Sequence, residues 1–165
     1  SRPMPFDAAL ALNRSQVLPE WIDYNGHMNV AFYVLAFDKA LDSFCERYDL
    51  SVDYMKQANC STFVLEAHVT YQQEVLQGDP LHFTLQLLDV DQKRLHYFMR
   101  MYHAGTGFLA ATSEQLMVHV DMTDRRVAPM PAATLARLEA LKAEHGKLPR
   151  PEEAGSIIGI RRRNT

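Results

Sequence analysis

One long apolar stripe, followed by strand-like runs joined by short turns, limits what this chain can fold into more than any other feature. From Val30 onward, Phe32, Tyr33, Ala36, Phe37, Ala40, Leu41 and Phe44 recur at helical i, i+3, i+4 spacing. Lys39, Asp42, Glu46 and Arg47 fall largely on the other side. A stripe this broad needs a large apolar surface to cover it. Downstream the period shortens to two. Residues 62–75 alternate, with Phe63, Leu65, Ala67, Val69 and Tyr71 on one face and Val64, Glu66, His68 and Thr70 on the other. Further strands are predicted at 81–90, 94–103 and 108–121, separated by the turn sequences "QGDP", "DQK" and "AGTG". Residues 9–18 read as a weakly patterned first strand ending at Pro19, and "SVDYMKQA" as a short second helix. "TDRR" closes the sheet, and 131–145 read as an amphipathic C-terminal helix capped near Gly146.

Short turns favour antiparallel neighbours. A single antiparallel sheet must cover its apolar face, and the long helix is the one segment large enough to do so. The predicted fold class is therefore α+β, an antiparallel sheet of about five strands wrapped around a long central helix, with an added C-terminal helix. A length of 165 residues suits one domain, expected over 1–146, with 147–165 as a tail.

Charge and composition exclude several functions. A net charge of −3 supplies no basic field for nucleic acid. The basic run Arg161, Arg162 and Arg163 reads as a solvated end. Cys45 and Cys60 make neither a disulfide framework nor a CxxC pair. No apolar run approaches the ~20 residues of a membrane span. "SRPMPFD" lacks the apolar core of a signal peptide. The expected setting is cytoplasmic. The His residues lack metal-ligand spacing, so no metal site is expected. No nucleophile elbow, phosphate loop or dinucleotide fingerprint is present.

Chemistry concentrates in "PEWIDYNGHMNVAFY", where Asp23, Asn25, Gly26, His27 and Asn29 crowd together immediately before the long helix. Unpaired amides point outward from a helix N-terminus. A carboxylate beside them has the layout needed to attack a carbonyl while its oxygen is stabilised. The same residues also suit plain helix capping.

Strand, D-x-x-G-H-x-N, long helix and four antiparallel strands together resemble the hotdog-fold acyl-CoA thioesterases of the 4-hydroxybenzoyl-CoA thioesterase-like group, over about residues 10–121. "DYNGHMNVAFY" resembles that family's D-x-x-G-H-x-N-N-x-x-Y signature, with Val30 standing where the second Asn is usual. "VLPEWIDYNGHMN" and "VLEAHVTYQQEV" resemble the carnitine-dehydrogenase-associated thioesterases, which are assigned to betainyl-CoA hydrolysis.

The resemblance implies that Asp23 is the catalytic acid, acting as nucleophile or as general base. Backbone N–H groups near Asn29 and Val30 would form the oxyanion hole; a backbone donor survives the Asn-to-Val departure. His27 would position Asp23, hydrogen-bond the thioester or pin the loop, and Asn29 would orient Asp23 or close the helix cap. Glu66 is a second acidic candidate, because family sites form between subunits and the strand after the helix can face a partner's loop. His68 and Tyr33 are candidate pocket residues. Trp21 and Tyr24, with Phe32, would supply aromatic faces to a quaternary ammonium acyl group. CoA is part of the substrate, so no cofactor is expected. The partner is a second copy of the chain, in a homodimer or a tetramer, with intersubunit sites. Two other readings are a non-catalytic acyl-CoA-binding module and an enoyl-CoA hydratase. The hydratase pattern D-x-N-P-x-H does not match the shorter, Pro-free "DYNGH".

Overall fold

A computed structural model of the chain describes residues 9–163. The stretch "SRPMPFD" and the last two residues lie outside the described residues. The elements run β1 (Leu10–Gln16), a 3-10 turn (Pro19–Trp21), α1 (Val30–Arg47), α2 (Val52–Ala58), β2 (Cys60–Tyr71), β3 (Pro80–Val90), β4 (Arg94–His103), β5 (Leu109–Asp121), β6 (Arg126–Val127) and α3 (Ala132–His145). The predicted elements therefore stand, with the first strand shorter and β2 beginning at Cys60 and ending at Tyr71 rather than running over 62–75. "TDRR" ends in the two-residue β6, which pairs with β5.

The sheet order is β1-β3-β4-β5-β2, antiparallel at every junction. Two strand pairings differ from what the short turns suggest. β2 pairs with β5 rather than β3, and β3 pairs with β1. The residues between β2 and β3 do not form a hairpin. They cross the end of the sheet, with Gln72 N donating to Ala110 O (2.9 Å), Val75 fully buried, and Gly78 N donating to Val17 O (2.8 Å). Val17 N returns a bond to Asp79 O (2.9 Å). β1 and β2 therefore form opposite edges, and α1 spans the sheet between them.

The α1 stripe meets the sheet as its spacing requires. Phe37 lies edge-on to Phe83 of β3 (centroids 5.7 Å), Phe44 tilts over Tyr97 of β4 (6.3 Å), and Tyr33 lies edge-on to Tyr71 of β2 (5.0 Å). Ala36 and Ala40, on the same stripe, are buried as well. The helix-facing side of the sheet carries a satisfied polar chain among its apolar residues: Tyr97 Oη donates to Gln115 Oε1 (2.5 Å), and Gln115 Nε2 to Ser113 Oγ (3.0 Å). Buried polar groups are tolerated when each finds such a partner.

β2 departs from the alternation its sequence suggests. A bulge between Val64 and Glu66 shifts the register against β5. A bulge interrupts the strict two-residue period, so side chains on either side of it change faces relative to a simple count. Phe63 then shares the outer face with Glu66 and His68, and Phe63, Leu65 and Tyr71 are exposed. The expected apolar face of this strand is not buried within one chain.

α3 docks beside β3. His145 is buried, and its Nδ1 accepts the Leu87 amide (2.8 Å) where β3 bulges between Leu87 and Asp89. Lys142 Nζ reaches Asp89 Oδ1 (2.8 Å).

Candidate active site

The loop before α1 is a closed turn. Asp23 N donates to His27 O (2.9 Å), Asn29 N to Trp21 O (3.0 Å), and Ile22 bridges Met28. Gly26 sits at φ 79° and donates to Asp23 O (3.0 Å). A Cβ there would meet nothing within 4 Å, so backbone conformation, not space, selects glycine. Asp23 is half-buried. Its Oδ1 accepts from Asn25 N (2.9 Å) and His27 N (3.4 Å). Among the described residues its hydrogen bonds fall on Oδ1, which leaves Oδ2 available to a water or a substrate.

Asn29 caps α1 from extended backbone, its Oδ1 accepting Ala31 N (2.9 Å). Its own amide is bonded to Trp21 O, as given above. Phe32 N bonds Asn29 O (3.0 Å). Among the described residues, that leaves Val30 N as the first-turn amide without an intramolecular acceptor. Of the two amides expected to face an oxyanion, that of Asn29 is thus already bonded within the chain and that of Val30 is not.

A hollow of about 230 Å³ opens at this helix end, lined by Met28, Val30, Tyr33, Tyr71, Gln72 and Glu74 together with Gln73. Asp23 does not line it directly; Met28, bridged to the neighbouring Ile22, does. Burial pushes the Tyr33 phenol above its usual range, partly opposed by a backbone hydrogen bond at Val75. His27 Nδ1 contacts Glu74 Oε2, with both side chains about half exposed. Glu74 was not among the residues singled out from the sequence. It lies just past β2 in a segment that gives no local sign of facing the loop before α1.

The other predicted residues lie elsewhere. Trp21 is buried, not open to the hollow: Phe32 stacks on it (6.0 Å) and the Lys39 ammonium sits over its ring (5.7 Å). Its faces are taken, a correction to the expectation that it binds substrate. Tyr24 is 97% exposed at the turn apex. Glu66 and His68 lie on the outer face of the sheet, away from α1, and border a recess with His96 and Glu114. They do not meet Asp23 within one chain. Among the described residues no group of three or more His, Cys, Asp or Glu is placed to hold a metal ion. No described helix is long and apolar enough to cross a membrane.

A curled antiparallel sheet around a central helix, with a carboxylate loop at the helix start, defines a hotdog-type thioesterase architecture. The sequence profile of the thioesterase-like superfamily matches residues 17–138, and the chain belongs to that superfamily. Among its relatives is a betainyl-CoA thioesterase of Pseudomonas aeruginosa, 40% identical over 151 residues that cover 92% of this chain and 95% of the relative. An L-carnitine dehydrogenase/betainyl-CoA thioesterase of Rhizobium meliloti is 35% identical over 162 residues, covering 98% of this chain. The chain spans 32% of that longer relative. A Staphylococcus aureus protein solved in complex with CoA superposes with a TM-score of 0.84 at 30% identity, covering 93% of this chain and 97% of the other.

Proposed function

We propose that this protein is an acyl-CoA thioesterase that hydrolyses a small acyl-CoA to the free acid and CoA, and that its substrate is betainyl-CoA. One observation carries the reading: in a chain of this superfamily, a half-buried carboxylate with an available oxygen is fastened in the closed turn that leads into α1, whose Val30 amide has no intramolecular acceptor among the described residues. The thioester carbonyl oxygen docks toward Val30 N. As the tetrahedral intermediate forms, its negative oxygen meets that amide and the positive end of the helix dipole. Asp23 Oδ2 either attacks the carbonyl carbon, expelling the CoA thiolate and leaving a mixed anhydride that water then hydrolyses to the free acid, or removes a proton from an attacking water and passes it to the departing CoA thiolate. His27, held by Glu74 on one side, keeps its own amide on Asp23 Oδ1 and so fixes the carboxylate. CoA enters as part of the substrate, and no further cofactor takes part in this scheme.

The acyl group faces Tyr33, Tyr71 and Met28. Two tyrosine rings set edge to face offer negative π surface to a quaternary ammonium, a role Trp21 cannot fill with Lys39 already above it. The site is shared between two copies of the chain. Among the described residues β2 is bonded along one side only, and its open edge carries exposed Phe63, Leu65 and Tyr71. An edge of this kind invites pairing. Antiparallel pairing of two β2 strands about their middle sets the Cys60 end of each beside the Tyr71 end of the other. Each hollow is then walled by both copies. Glu66 and His68, on the outer face, are given no part in the chemistry.

Thiol release from a panel of acyl-CoAs tests this, with Asp23→Asn as control. Betainyl-CoA should be turned over fastest, and the variant should lose about 10²–10⁴-fold in kcat with its fold intact. Absence of turnover on every member, or full activity in the variant, would remove the assignment. Single-turnover hydrolysis in ¹⁸O water separates the two roles of Asp23, since label in the enzyme's own carboxylate marks direct attack.

A further inference from the structure

The tail after α3 is laid across the outer face of the sheet. Gln86 Nε2 donates to Pro149 O (3.1 Å), and Gly155 N to Glu114 Oε1 (2.8 Å). Burial alone would raise the Glu114 carboxyl; the Gly155 amide and the His96 ring (2.7 Å) outweigh it and hold it below its usual range. The anchor is therefore charged at neutral pH. Beyond Gly155 the tail passes the end of β2 and closes a hollow of about 290 Å³ against His68, Thr70 and Gln72, with Ile157, Ile158 and Arg161 on the tail side. Arg162 and Arg163 follow directly, completing the one run of three basic residues in a chain of net charge −3.

Gln72 lines this outer hollow and also the hollow at the start of α1. The two recesses meet at one residue, on opposite faces of the sheet at the end of its edge strand. A CoA thioester has the same layout: a reacting carbonyl at one end of a long flexible arm, and phosphates with adenine at the other.

We propose that the C-terminal tail is the CoA nucleotide site, with Arg161, Arg162 and Arg163 holding the phosphates while the pantetheine arm passes Gln72 to the carbonyl site. This rests on the acyl-CoA reading above. Guanidinium groups match phosphate oxygens with paired donors, and three together compensate several negative charges. Ile157 and Ile158, 88% and 85% exposed, offer apolar surface to adenine. Glu153, the carboxylate among the lining residues, opposes phosphate there.

The test replaces Arg161, Arg162 and Arg163 together with Gln. KM for acyl-CoA should rise by about tenfold or more, as expected for losing charge-assisted hydrogen bonds, with kcat essentially unchanged. Calorimetry with CoA alone should show weaker binding in the variant, and the gap should narrow at high salt. The matching acyl-pantetheine, which lacks the nucleotide, should show the same KM in variant and wild type. Glu153→Gln should tighten CoA binding. Arg125→Gln combined with Arg126→Gln, at the far end of β5, should change neither readout. Unaltered CoA affinity in the tail variant, or equal losses on both esters, overturns the tail site while leaving hydrolysis in place. CoA binding that depends on the arginines, in a wild-type protein that hydrolyses no ester, would keep the tail site and remove the thioesterase reading.

Discussion

Glu74 reaches back from the far end of β2 to His27, whose amide in turn bonds Asp23. In the proposed scheme it is a positioning residue, touching neither the scissile bond nor water. Glu74→Gln should lower kcat by roughly ten- to hundredfold through a misaligned carboxylate while leaving KM nearly unchanged. Glu74→Asp should recover part of the loss. A purely structural role would instead lower thermal stability and leave steady-state constants alone. Steady-state kinetics alongside a melting curve tell these apart. At this scale the sequence was legible for Asp23, Gly26 and Asn29, whose spacing before an apolar stripe encodes a turn and a cap. It was not legible for Glu74, because nothing local says which loop a residue after a strand will face. Trp21 misled for a related reason: an aromatic beside a catalytic loop reads the same whether its faces are free or covered.

The elements were legible wherever period alone decides them. α1 announces itself through Phe37, Ala40, Leu41 and Phe44, and β3 to β5 through turns that can only reverse the chain. The bulge in β2 was hidden, since one additional residue changes faces without changing composition. The pairing of β2 with β5 was hidden as well; the Gln72–Asp79 segment looks like a hairpin turn and instead crosses the sheet. These two features explain why β2 keeps an apolar side in the open. Leu65→Asp tests its use: Leu65 is 62% exposed, so the folded single chain should change by no more than about 0.5 kcal/mol. Light scattering should show a lower mass than wild type, and activity should fall with it. An unchanged mass would mean that this edge does not join two copies.

For the molecule as a whole, His145 links stability to pH. Its Nδ1 must stay unprotonated to accept the Leu87 amide, and burial lowers its pKa below the ordinary value of about 6.5, with Glu144 pulling weakly the other way. Unfolded chains then bind the proton more readily than folded ones, so stability should rise with pH up to about 6.5 and fall as pH drops toward the folded pKa. Denaturant midpoints at pH 5 and pH 7 should differ more in wild type than in His145→Gln. Equal differences would mean that this histidine carries none of the dependence.

The route of the chain between the two sheet edges also sets an order of assembly. β3, β4 and β5 are neighbours in sequence as well as in space, so their closure involves only short loops. β1 and β2 reach their places at opposite flanks only after α1 and the crossing segment are threaded between them, and longer loops are entropically slower to close. The expectation is a central three-strand nucleus onto which both flanks condense late. Core substitutions in β4 should therefore slow refolding, whereas those in β1 and β2 should mainly hasten unfolding; the opposite pattern of φ-values would reverse that order. The elements that build the hollow at the start of α1 would then be the last to arrive, and active protein would appear only when folding is complete.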